Sequence, residues 1–210
     1  ALSLQTAVPV RHTHSSLAED HPLLRGQAHT RCDDGQRWKW DGVHFEVLHP
    51  TPDEHAAATK PNAVSCVLKV TDAQGRSLLL TGDIEAAQEA ALLQRHAAEL
   101  PSTWLLAPHH GSRTSSTAAF LDAVHPQLAL VQAGYRSRFG HPAPDVVARY
   151  EARGITVVRT DRCGAWMWHD GAARCTREVQ RRYWHWKEAS EGVNAGANVA
   201  NQGVRGVDQR

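Results

Sequence analysis

The run Leu105-Leu106-Ala107-Pro108-His109-His110-Gly111-Ser112 constrains the chain more than any other stretch. An apolar segment stops at a proline, which has no N–H to donate to a central ladder. Two adjacent histidines then enter a glycine–serine turn. If the strand runs on into the pair, successive side chains face opposite sides, so one imidazole faces a metal while the other lines the mouth of the same cleft. Gly111 lets the backbone approach a ligand closely. Ser112 offers a hydroxyl and an N–H that can begin a helix over Arg113 to Val124. Taken alone, the pair fits two solvated loop histidines better than a site.

What surrounds this run is bounded by composition. With 210 residues, 41% hydrophobic and 21% charged, the chain reads as one globular domain with a usable core. A formal net charge of +1 excludes a molecule that binds nucleic acid through its overall field. Charge is nevertheless uneven: from Tyr135 to Arg182 there are ten arginines against five acids. Part of that excess fits helix residues that are paired or lie along apolar surface. No window approaches the roughly 18 apolar residues of a membrane span, and no signal sequence opens the chain. Cys32, Cys66, Cys163 and Cys175 show no Cys-x-x-Cys spacing, which argues against a structural zinc site. Cys163 and Cys175 flank a turn at His169-Asp170-Gly171 and could face each other across two strands, either bridged or as buried thiols.

In chain order, His12 and His14 read as polar loop or strand-edge residues. Gln36 to Trp40 and Val43 to Leu48 alternate around Asp41-Gly42, a strong hairpin signal. Ala63 to Val70 and Arg76 to Thr81 form a second hairpin. Ile84 to Leu100 has helix composition, with Asp83 as its candidate N-cap. Leu105 to Ala107 is a strand, Ser115 to Val124 a helix, Gln127 to Gln132 a strand, and Pro144 to Arg153 a helix ended by Gly154. Strands follow at Ile155 to Arg159 and Ala165 to Trp168, with a last one within Arg174 to Val179. Hairpins followed by alternating helix and strand predict an α/β fold with a mixed sheet covered by helices. Residues 188–210, polar and without periodicity, read as a disordered tail, and residues 1–187 as the domain.

Three polar clusters end apolar strands: Thr81-Gly82-Asp83, Pro108 to Ser112, and Phe139-Gly140-His141-Pro142. Each places an Asp or His just past a strand, where α/β folds gather active sites. A carboxylate with imidazoles suits a divalent metal such as zinc or manganese. In this order, and with Asn62 to Leu68 and the hairpin of Trp38 to Pro50 before them, these segments resemble the C-terminal metallo-β-lactamase-like domain of the ComEC family of DNA uptake proteins.

That resemblance implies an αββα sandwich that is incomplete at its N-terminus, because the superfamily's segment His-x-(His or Asp)-x-Asp-His is absent. The chain is then the C-terminal two-thirds of the domain, with the second half of a two-metal site. By residue, it implies Asp83, His109 and His110 as metal ligands and His141 and His110 as catalytic groups. Ser112, Asn62, Arg136 and Arg138 would contact the substrate. The activity implied is a divalent-metal phosphodiesterase, using manganese or zinc, that degrades the non-transported DNA strand. The alternative is a non-catalytic module that guides DNA, and a lactamase-like hydrolase of small molecules is a third reading. Expected partners are single- or double-stranded DNA and a membrane channel domain upstream in the same polypeptide, with no lipid contact by this piece. The expected location is the inner membrane, with the periplasmic face favoured over the cytoplasmic one.

Overall fold

The Asp41-Gly42 hairpin forms as its alternation predicts. Trp40 pairs directly with Val43, and both turn residues take positive φ (50° and 80°), the geometry a two-residue type I′ turn requires. The computed structural model describes residues 12–179 apart from 19, 27, 136 and 170. Its strands are β1 (Thr13–Ser15), β2 (His29–Arg31), β3 (Arg37–Trp40), β4 (Val43–His49), β5 (Val67–Thr71), β6 (Ser77–Leu80), β7 (Trp104–Leu106), β8 (Leu128–Val131), β9 (Thr156–Arg159), β10 (Trp166–His169) and β11 (Ala172–Cys175). The helices are α1 (Pro52–Ala57), α2 (Ala86–His96), α3 (Ala118–Val124), α4 (Pro144–Glu151), α5 (Thr160–Cys163) and α6 (Thr176–Val179). The 188–210 tail and the 187/188 boundary lie outside the described residues.

Strands β3 to β9 form one seven-stranded sheet in sequence order. From β3 to β6 the neighbours are antiparallel, and from β6 to β9 they are parallel with helices between them. The mixed α/β architecture is thus the expected one. Leu79, Leu105, Ala129 and Val131 of the sheet pack with Leu92, Phe120, Leu121, Val124, Val146 and Tyr150 of α2, α3 and α4 into one core. The other face differs. The register aligns Trp38, Phe45, Val70, Leu78, Trp104 and Leu128 in one row across the sheet, and none of these residues is fully buried. Among the described residues, this face is covered in part. His14 of β1 stacks on Trp38 at 4.6 Å, and Trp166 and Trp168 of the β10–β11 hairpin meet Trp104 at 5.5 and 5.1 Å. The described residues thus form one seven-stranded sheet with its helix-packed core on one face.

Several local expectations are corrected. The helix expected from Ile84 begins at Ala86 with Glu85 as its N-cap, because Ile84 is drawn into the core and Asp83 stays in the preceding turn. Ser112 does not cap a helix over Arg113 to Val124; α3 starts later, behind Thr117, whose hydroxyl accepts the Phe120 N–H. The strand expected from Ala63 begins only at Val67, after a 3-10 turn at Pro61–Val64. Cys163 and Cys175 are bridged, but not across two strands: Trp166 is the partner of Cys175 in the hairpin, and Cys163 ends α5. A second bridge, Cys32–Cys66, joins residues 34 apart in sequence.

Candidate functional site

Parallel strands β6, β7 and β8 end side by side, and their loops are laced together by main-chain bonds. The His109 N–H donates to the Gly82 carbonyl (3.0 Å), Ala143 N–H to Gly111 (2.9 Å) and Ala86 N–H to Thr114 (2.9 Å). Beneath them the buried Thr81 hydroxyl donates to the Leu106 carbonyl at 2.7 Å. Gly111 is required twice over. Its φ is +77°, and a Cβ there would lie 2.7 Å from Cβ of Pro142.

The histidine pair does not continue the strand. His109 (φ 47°, ψ 42°) and His110 (φ 56°, ψ 23°) both adopt the left-handed region, an uncommon conformation for residues with a Cβ that the surrounding bonds have to hold. The two imidazoles therefore diverge through a kinked turn, with ring centres 6.5 Å apart, and not through strand alternation.

His110 Nε2 lies 3.4 Å from the Asp83 carboxylate, and both side chains are largely exposed. His109 Nδ1 lies 3.3 Å from the Glu85 carboxylate and 3.4 Å from the Thr114 hydroxyl, which itself donates to Glu85 at 3.1 Å. On its other side, His109 Nε2 is 3.5 Å from the Asn62 amide nitrogen. The His141 ring is centred 6.0 Å from that of His109 and lies against Phe139. Its Nδ1 is buried without a hydrogen-bond partner. Burial, then the neighbouring His109 and His110 charges, hold the His141 pKa below its ordinary value.

The structure thus brings Asp83, His109, His110, His141 and Asn62 to one edge of the sheet. Ser112 is there but buried, with its hydroxyl 3.1 Å from that of Thr114. Arg138 is exposed and sits over the Phe139 ring; Arg136 lies outside the described residues. Glu85 and Thr114 were not singled out from the sequence, where they read as helix-start and loop residues. Only the folded turn turns them toward His109.

A metal needs three or more convergent donors. The described carboxylates and imidazoles instead pair off as His110 with Asp83 and His109 with Glu85, and no group of three His, Cys, Asp or Glu residues is placed to hold an ion. The described residues alone therefore do not fit the metal centre that the fold implies.

From behind, the Glu89 carboxylate of α2, fully buried, accepts the Ser116 N–H and, at 2.8 Å, the Thr117 N–H. Burial raises its pKa, against the pull of those bonds and of Arg149. The Ser116 hydroxyl is 2.9 Å from the Tyr150 hydroxyl, and Arg149 donates to the Ser115 and Ser116 carbonyls.

No family model matches the chain. Among solved structures, a metallo-β-lactamase superfamily protein from Thermotoga maritima is similar with a TM-score of 0.41 and 12% identity, covering 71% of this chain and 81% of that one. The metallo hydrolase Igni18 from Ignicoccus hospitalis gives a TM-score of 0.39 at 15% identity, covering 65% and 59%. In sequence, the chain is 40% identical over 155 residues to competence protein ComA of Neisseria gonorrhoeae, covering 72% of this chain and 22% of that protein. It is 36% identical over 121 residues to recombination protein 2 of Haemophilus influenzae (57% and 14%) and 33% identical over 123 residues to ComE operon protein 3 of Bacillus subtilis (58% and 15%). The chain thus spans at most 22% of the length of these relatives. On these similarities, the chain is a homologue of part of the competence proteins of the ComEC family.

Proposed function

We propose that this chain serves DNA uptake and carries part of a hydrolytic centre acting on DNA phosphodiesters. The observation that carries the reading is the convergence of Asp83, His109, His110 and His141 at the ends of three adjacent parallel strands, the place where α/β folds build sites. Its support from similarity is the competence relatives. In this reading the unpartnered Nδ1 of His141 accepts or positions a proton, and the exposed Arg138 draws in the phosphate backbone. Ser112 acts from beneath, by shaping the turn. Any manganese or zinc would need donors beyond the described residues, so no step is assigned to it. Among the described residues no helix is long and apolar enough to cross a membrane. The two cross-links support placement of this piece on the oxidising, periplasmic side of the membrane.

A second reading, a DNA-guiding module without catalysis, is favoured by one observation: among the described residues the donors pair with each other and leave no three-donor group. One experiment separates the two. The complete protein is incubated with labelled single- and double-stranded DNA, with and without Mn²⁺, beside Asp83→Ala and His141→Ala. Cleavage that both substitutions abolish supports the hydrolytic reading. Salt-sensitive binding without cleavage, identical in all three proteins, overturns it and leaves the guiding module.

A further inference from the structure

Behind the site stands a short segment in which only Asn62 has been given a role: the 3-10 turn Pro61–Val64, then Ser65 and Cys66. The Ser65 hydroxyl accepts the Asp83 N–H at 3.2 Å. Its side chain also fills the space beside Gly82, where an added Cβ would lie 3.0 Å from the Ser65 Cβ. The Ser65 carbonyl is 3.2 Å from Nδ1 of the buried His49, and Asn62 on the same turn reaches His109. One short segment therefore touches both loops that carry the Asp83 and His109 groups.

That segment is itself tied down at Cys66, by the bridge to Cys32. Cys32 is fully buried, and three bonds fix its surroundings. Its N–H donates to the Ser15 carbonyl at 3.0 Å, its carbonyl is 2.9 Å from His55 Nε2, and the Asp34 N–H donates to Pro50 at 2.8 Å. Cys32 is thus the anchored end, and Cys66 is the half-buried end beside Ser65. A cross-link removes conformations from the segment it closes. Its loss frees Cys66, then Ser65, and with Ser65 the turn that holds Asp83.

We propose that the Cys32–Cys66 bridge is a redox-sensitive positioning device for the candidate site, acting through Ser65 on Asp83 and through Asn62 on His109. The chemistry is thiol–disulfide exchange with a dithiol. A donor thiolate attacks one sulfur and breaks the bond; a second exchange then leaves two thiols here and a disulfide on the donor. Two electrons and two protons pass from donor to protein. Cys163–Cys175, which joins the end of α5 to β11, is the internal control.

The test is amide hydrogen exchange on the full chain, a readout that does not depend on DNA cleavage and so stands or falls apart from the reading above. Dithiothreitol added to Cys163→Ala/Cys175→Ala reduces Cys32–Cys66 alone, and Cys32→Ala/Cys66→Ala removes that bridge outright. Exchange across residues 81–86 and 108–112 should accelerate about tenfold or more in both, while the core strands β7 and β8 stay protected. It should remain as in the parent in oxidised Cys163→Ala/Cys175→Ala. Ser65→Ala, with both bridges intact, should accelerate 81–86 selectively. Unchanged exchange at 81–86 on loss of the bridge, equal acceleration in the oxidised control, or no effect of Ser65→Ala overturns the proposal.

Discussion

His49 shows how far one residue can depart from the ordinary behaviour of its side chain. It is fully buried at the end of β4, with Nδ1 near the Ser65 carbonyl and Nε2 3.6 Å from the Glu54 carboxylate. Burial lowers its pKa to about 4; Glu54 and Asp34 oppose that shift, and Arg95 and His55 add to it. The unfolded chain takes up the same proton near 6.5. Between these values the unfolded state binds more protons, so stability is complete above about pH 6.5 and is lost as pH falls toward 4, by up to about 1.4 kcal/mol per pH unit. Urea midpoints at pH 5 and 7.5 check this. The difference between the two should shrink in His49→Gln, and an undiminished difference would assign the pH dependence to other groups. In sequence, His49 was only the residue before a proline that closes a strand. His109, His110, Asp83 and His141 were legible because a motif set them apart, whereas burial, which governs His49, is a property of the assembled fold.

At the scale of elements, the strands and helices were legible wherever hydrophobic period and turn chemistry agreed, as at Asp41-Gly42 and at Pro144. They were misread where a tertiary contact fixes the end. Asp83 has the chemistry of an N-cap, yet its N–H is held by Ser65, so α2 starts two residues past Ile84. The start of α3 is fixed from two sides: Thr117 caps it locally, and Glu89, one helix away, accepts the N–H groups of Ser116 and Thr117, a tertiary contact that no local pattern announces. Glu89→Gln replaces one accepting oxygen with an NH₂ that faces an N–H donor. It should destabilise the chain by about 1–3 kcal/mol in denaturant unfolding. It should also raise amide exchange in 112–117, with β3–β4 unaffected. A substitution without effect on either measure would show that the buried carboxylate does not hold this junction.

For the whole molecule, the decisive feature is the inequality of the two sheet faces. Leu79 points into the helix-covered core and is fully buried, while Leu78 and Leu80 on either side of it point to the other face and are only half-buried, as are Leu106 and Leu130. The apolar run Leu78 to Leu80 looks in sequence like a strand covered on both sides. Alternation could not reveal an exposed face, because the residues on that face are as apolar as those within. The implied second sheet of the sandwich would account for that composition, and the chain is only a fraction of its relatives' length. In the 210-residue chain, Leu79→Ala should therefore cost about 2–5 kcal/mol, the range for a truncation in a packed core. Leu80→Ala, one residue away, should cost well under half as much. In a longer protein that lays a further layer on this face, the two costs should converge, because that layer would add neighbours to Leu80. Equal costs already in the isolated chain would mean that the face is closed by residues of this chain outside those described.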